Sequence, residues 1–329
     1  MNGTAQIISG FLAFGTLHIN THGFAPWQWF MIITGTITLA TAVAYFLWFP
    51  DSPATAWFLT PKERAMAIER IKVNQTGVSN KVWKKDQFTE GLKDPKTWLF
   101  ALFSCVNSIP ISLANQSSII VHSFGFSTLQ TTLLGCVYGV IEIVAILTSV
   151  NLAAKWDNSR AYVAAIYFVP NVLGSILVNV LPWSNKIGLL ISVWMTGVGS
   201  TGFVLFLGWV TAVTAGHTKR ITVQAIMLSA YCVGNLVGPQ MWQEQYKPRN
   251  RVPWIVITIS YFLCPVILLI IRLRLCRENH KRDAEPKVEE DADAYIEEIL
   301  EDGTKIKRKV DKAFLDLTDI QNRDFRYVL

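Results

Sequence analysis

Three features of this 329-residue sequence predict an all-α integral membrane fold with eight transmembrane helices. Hydrophobic residues make up 51% and charged residues only 16%, whereas soluble domains carry roughly a quarter charged. The apolar residues fall in blocks of about 20 without Lys or Arg, the length a helix needs to cross a hydrocarbon core of roughly 30 Å. Bases crowd the segments between the blocks. The net charge of +6 divides into +10 for residues 1–276 and −4 for residues 277–329. That distribution is a topology signal and not a nucleic-acid footprint. The composition excludes an ordinary soluble enzyme and a disordered chain, and no nucleic acid is expected as a partner.

The first span, 5–22, is the weakest, being rich in Gly, Ser, Thr and His. It lacks a basic n-region and a small-residue cleavage site, so it reads as a span and not as a signal peptide. Span 27–49 follows, with Trp27, Trp29 and Trp48 near its ends, where an indole rests at headgroup level. The connection 50–96 carries nine bases. Within it Thr60-Pro61-Lys62-Glu63 predicts a capping box with proline at the first helical position. A second amphipathic segment runs from Val82 to Leu92, and Asp94 can cap the helix entering the third span. Both short helices are expected to lie along the inner leaflet, with a partner-binding surface as the alternative. Spans 97–121, 127–150, 161–182, 187–212, 221–242 and 254–273 complete the body. Lys155 with Arg160, and Lys219 with Arg220, fall on the same side as the long connection. The positive-inside rule then puts both termini in the cytoplasm. The tail, with Glu289-Glu290-Asp291 and Glu297-Glu298, is expected to be flexible and solvated. Five cysteines in or beside spans imply no disulfide framework.

Polar residues inside spans are the candidates for chemistry. Glu142, in the fourth span, is the one acid within any span. An ionisable group at membrane depth costs at least a few kcal/mol, so it should face a cavity or a partner. It is the proton-coupling candidate, the alternative being a neutral carboxyl that glues helices together. The third span is polar and broken: Pro110 should kink it, and Asn107, Asn115 and Gln116 are substrate-pathway candidates. Tyr231 and Asn235 join them from the seventh span, where Gly234, Gly238 and Pro239 suggest a flexible gating helix. His18 and His22 are four residues apart, but no acid or cysteine completes a metal site, which favours structural histidines. No motif supports catalysis, a metal or a cofactor.

Several stretches carry a likeness along nearly the whole chain. They include Pro50-Asp51-Ser52-Pro53, Asn74-Gln75-Thr76-Gly77, Asp94-Pro95-Lys96-Thr97-Trp98 and Gly125-Phe126-Ser127-Thr128-Leu129-Gln130. Later come Ala215-Gly216-His217-Thr218-Lys219-Arg220, Tyr231-Cys232-Val233-Gly234-Asn235 and the ending Phe325-Arg326-Tyr327-Val328-Leu329. In this order they resemble the fungal allantoate permease family (anion:cation symporters) of the major facilitator superfamily. The resemblance implies twelve helices in two six-helix halves that rock around a central site. The eight spans here then look like helices five to twelve. Residues 1–50 would be the last two helices of the amino-terminal half and 51–96 the cytoplasmic loop between halves. Residues 97–275 would be a complete carboxyl-terminal half, and 276–329 a cytoplasmic acidic tail. It further implies proton-coupled uptake of small organic anions such as allantoate, ureidosuccinate or nicotinate-like carboxylates, at the plasma membrane. On that reading the chain is N-terminally truncated, the base that meets the anion lies in the missing part, and the chain alone transports poorly. The alternative is a non-transporting sensor or a regulatory partner of a full-length permease.

Overall fold

A computed structural model of the chain describes residues 2–19, 23–53, 55–72, 83–285, 294–299, 305–310 and 316–329. His22, Asn74-Gln75-Thr76-Gly77, Val82 and Glu289-Glu290-Asp291 lie outside the described residues. Seven helices, three of them interrupted, are long and apolar enough to cross a membrane. The eighth expected span is the shorter helix α1 (Asn2–Thr16), whose 15 residues rise only about 22 Å. His18, just beyond it, bonds through Nδ1 to the Phe14 carbonyl at 2.9 Å, a C-terminal cap. Helix α2 (Pro26–Trp48) begins with proline, whose missing N–H would be unpaired there anyway, and it buries none of its residues.

Local chemistry sets the other boundaries. Helix α3 (Pro61–Lys72) starts at the expected capping box. The Thr60 backbone N–H and hydroxyl both donate to Glu63 at 2.8 Å, and the Glu63 N–H returns to the Thr60 hydroxyl at 3.4 Å. Those two donations hold the Glu63 carboxyl below its ordinary range. Helix α4 (Lys85–Lys93) does not lie apart as a surface helix, because it buries Gln87 and Gly91 against its neighbours. Asp94 caps α5 (Pro95–Ser108), accepting from the Lys96 N–H at 2.9 Å. Pro110 breaks the third span where expected: a 3₁₀ turn, Ile109–Ile111, separates α5 from α6 (Ser112–Ser123).

Helix α7 (Thr128–Lys155) opens with a second capping box, Ser127 with Gln130. The next span divides into α8 (Arg160–Ile166) and α9 (Val169–Val180), where Pro170 cannot continue the hydrogen-bond ladder. A 3₁₀ turn at Thr196–Val198 likewise separates α10 (Lys186–Met195) from α11 (Gly199–Ala212). Helices α12 (His217–Gln240) and α13 (Arg251–Ala284) close the bundle. Its centre is aromatic: the Phe103 ring lies 4.2 Å from Phe206 and meets Phe168 edge-on at 6.3 Å, with Trp209 and Trp254 buried nearby. Two close crossings depend on glycine. Gly234 and Gly238 bring α12 against the Cys105 and Ile109 carbonyls, and Gly3 and Gly139 bring α1 against α7.

The tail departs from the flexible, solvated segment expected of it. Helix α13 runs 11 residues past the expected span end at 273. Strands β1 (Ala294–Ile299) and β2 (Lys305–Val310) pair antiparallel, Ala294 opposite Val310. Residues 316–329 return to the body and bury Thr318, Asp319 and Tyr327. Charge content predicted solvation, yet these charges meet specific partners, which composition cannot foresee.

Candidate functional site

A cavity of about 480 Å³ lies among α1, α5, α7, α11, α12 and α13. Glu142, near the middle of the 28-residue α7, is only 5% exposed and reaches this cavity. No hydrogen bond reaches its carboxylate among the described residues. Tyr138 lies one turn earlier on the same face, as the i, i+4 spacing requires. Across the cavity stand Tyr231, stacked on Phe203 at 5.8 Å, and Tyr261 from α13. Asn107 and Pro110 supply the wall from α5 and its 3₁₀ break. Among the lining residues Glu142 is the single acid, and none is basic.

The candidates of the sequence therefore separate. Glu142, Asn107, Tyr231 and Pro110 converge on one cavity. Asn115 faces outward on α6, and Gln116 is half-buried; neither lines the cavity. Asn235 turns its amide back to the Tyr231 carbonyl at 3.0 Å, within its own helix. Gly234 and Gly238 face α5 as packing surfaces, and Pro239 is exposed at the end of α12. Sequence reading missed the polar face of α1. Asn2, Gln6 and Ser9 all line the cavity, and their i, i+4, i+7 spacing was a usable signal in a span noted only as weak. Tyr138 and Tyr261 were also missed, although Tyr138 could have been found from its spacing to Glu142.

A second polar cluster lies at the end bearing the basic loops. Lys96, Lys219 and Asp319 are all at least nine-tenths buried there, with Asp94 beside them. Asp319 takes Lys96 at 2.7 Å and Lys219 at 3.0 Å, and the Tyr327 hydroxyl donates to it at 2.7 Å. Burial alone would raise the Asp319 carboxyl, but the two ammonium groups outweigh it and hold the acid well below the usual range. Burial, reinforced by that carboxylate, pushes the Tyr327 phenol well up.

Residues 2–239 match the family model of the Major Facilitator Superfamily. The chain is 36% identical to an uncharacterized transporter of Schizosaccharomyces pombe, over 98% of the chain and 58% of that relative. It is 34% identical to the high affinity cysteine transporter of Saccharomyces cerevisiae, over 99% of the chain and 64% of the relative. Against the allantoate permease of the same yeast it is 32% identical, over 100% of the chain and 60% of the relative. These relatives are transporters or permeases by name, and none is named as an enzyme. The chain spans about three-fifths of the length of the curated relatives it matches.

Proposed function

The chain belongs to the Major Facilitator Superfamily, and from that premise we propose that it is a secondary transporter of small organic anions, coupled to protons through Glu142. The carrying observation is a cavity with several neutral donors and one carboxylate. Asn107, Gln6 and three phenols offer N–H and O–H groups that suit the carboxylate of a solute. An ionised Glu142 opposes such a solute: two unit charges about 5 Å apart repel by roughly 3 kcal/mol at an effective dielectric near 20. A proton on Glu142 removes that repulsion, so anion and proton enter together. The likeness to an allantoate permease supports a carboxylate such as allantoate as the solute.

Residues 97–275 are, on this reading, the carboxyl-terminal half, and 1–50 the part of the other half that meets it. The basic loops support a cytoplasmic side for the end carrying Lys96 and Lys219, in what we take to be the plasma membrane. Uptake of radiolabelled allantoate by vesicles containing the chain, with an alkaline interior, tests the proposal. Slow accumulation, poorer than a full-length permease gives and abolished when the pH gradient is dissipated, is the expected result. Absence of uptake, with the chain co-purifying with a longer permease, would favour the regulatory-partner reading instead.

A further inference from the structure

The segment 316–329 touches the helix ends at the basic-loop end of the body through buried polar contacts, adding partners to groups such as Lys219, which the body also pairs with Glu90 and Asp94. Helix α12 begins at Gly216, whose φ of +87° and lack of a side chain leave the helix without a cap of its own. Asp316 supplies one, accepting the His217 N–H at 2.6 Å, while Gln87 of α4 accepts the Thr218 N–H at 3.1 Å. A Cβ at Gly216 would lie 2.9 Å from Thr318 Cγ2, so the glycine also makes room for the segment. Asp319 ties Lys96 at the start of α5 to Lys219 at the start of α12. The Tyr327 hydroxyl accepts from Arg282 of α13 at 3.0 Å, and Asn279 pairs with the Tyr327 backbone through bonds of 2.8 and 2.9 Å. Trp209 of α11 donates to the Val328 carbonyl at 2.7 Å.

We propose that residues 316–329 are a latch, which while docked holds the basic-loop ends of α4, α5, α11, α12 and α13 together and must leave before that end can open. The attachment is polar and almost dry, which gives it two stable states. Docked, the charges neutralise one another. Released, they gain water, and the buried lysines lose Asp319, one of the two carboxylates that bridge them, and keep Asp94. Thr318 is a point where charge would tip the balance, because its hydroxyl donates to Glu90 at 3.0 Å. A negative group there would face Glu90, Asp94 and Asp319 together.

The test reads access and not transport, so it stands or falls separately from the transport proposal. Thr97, fully buried on α5 next to the Lys96 that Asp319 holds, is replaced by Cys in a chain lacking its five native cysteines, and labelling by a water-soluble maleimide is timed. We expect the chain ending at residue 315 to label at least tenfold faster than the intact chain. A synthetic peptide of residues 316–329 should restore protection, and the same peptide carrying Asp319→Asn should not. Thr318→Glu and Asp319→Asn in the intact chain should give intermediate rates at an unchanged elution volume. Equal rates with and without the segment would overturn the latch. Fast labelling that the wild-type peptide fails to slow would also overturn it, because that marks lost structure and not a released latch.

Discussion

Gly234→Ala gives a sharp reading of how tightly α12 is seated. A Cβ at this position would clash with the Cys105 carbonyl oxygen and lie 2.7 Å from Ser108 Cβ, where ordinary contact begins near 3.4 Å. The α12 backbone must therefore retreat by at least about 0.7 Å, since a carbonyl cannot rotate aside as a side chain could. Overpacking of this kind costs about 2–3 kcal/mol, and the better helix propensity of Ala returns up to ~1 kcal/mol. The net loss of about 1–2 kcal/mol corresponds to a fall of ~2–8 °C in the melting temperature. Gly208→Ala is the matched control, with nothing within 4 Å of its Cβ, and should melt unchanged or slightly higher. The assay is thermal unfolding in one detergent, followed by tryptophan fluorescence. Equal melting temperatures for the two variants would refute the close seating of α12 on α5.

Gly139→Ala places a Cβ 2.6 Å from the Gly3 carbonyl and should push α1 off α7. In a chain keeping Cys136 alone among its cysteines, maleimide labelling of that buried thiol should quicken several-fold; an unchanged rate would show that the crossing is loose. Docking of the terminal segment should not vary between about pH 5 and 8. The Asp319 acid is depressed by Lys96 and Lys219, so its contribution is complete above the unfolded carboxyl pKa near 3.9 and fades only as the pH falls below that range. Tyr327, its phenol pushed well up by burial, stays neutral across the window. Release of the segment between pH 6 and 8, read by the Thr97→Cys rate, would count against this charge assignment.

Much of the fold was legible because membrane helices are specified by gross quantities. Block length, basic loops and caps such as Thr60–Glu63 and Asp94 act within a few residues of one another. The break at Pro110 was legible for the same reason, since a missing N–H acts on its own helix. Glu142 stood out by its cost in hydrocarbon. What the sequence hid is what depends on rotation about helix axes and on distant pairing. Asn115 and Asn107 look alike in a polar run, yet they face outward and inward. Asn235 appeared available to a solute and instead closes on its own backbone. The terminal segment was hidden most deeply: a charged stretch reads as solvated until its partners, 100 or more residues away at Lys96, Lys219 and Trp209, are placed beside it.

The central claim is that protonation of Glu142 admits the anion, and binding measured against pH tests it most directly. Isothermal titration of allantoate into the purified chain at a series of pH values should show tighter binding on the acid side. The roughly 3 kcal/mol repulsion sets a ceiling of about a hundredfold on that gain. Glu142→Gln, neutral at every pH, should bind allantoate with a flat profile at the strength of the protonated wild type. A Glu142→Gln variant whose affinity followed pH as the wild type does would contradict the account, leaving Glu142 a structural residue.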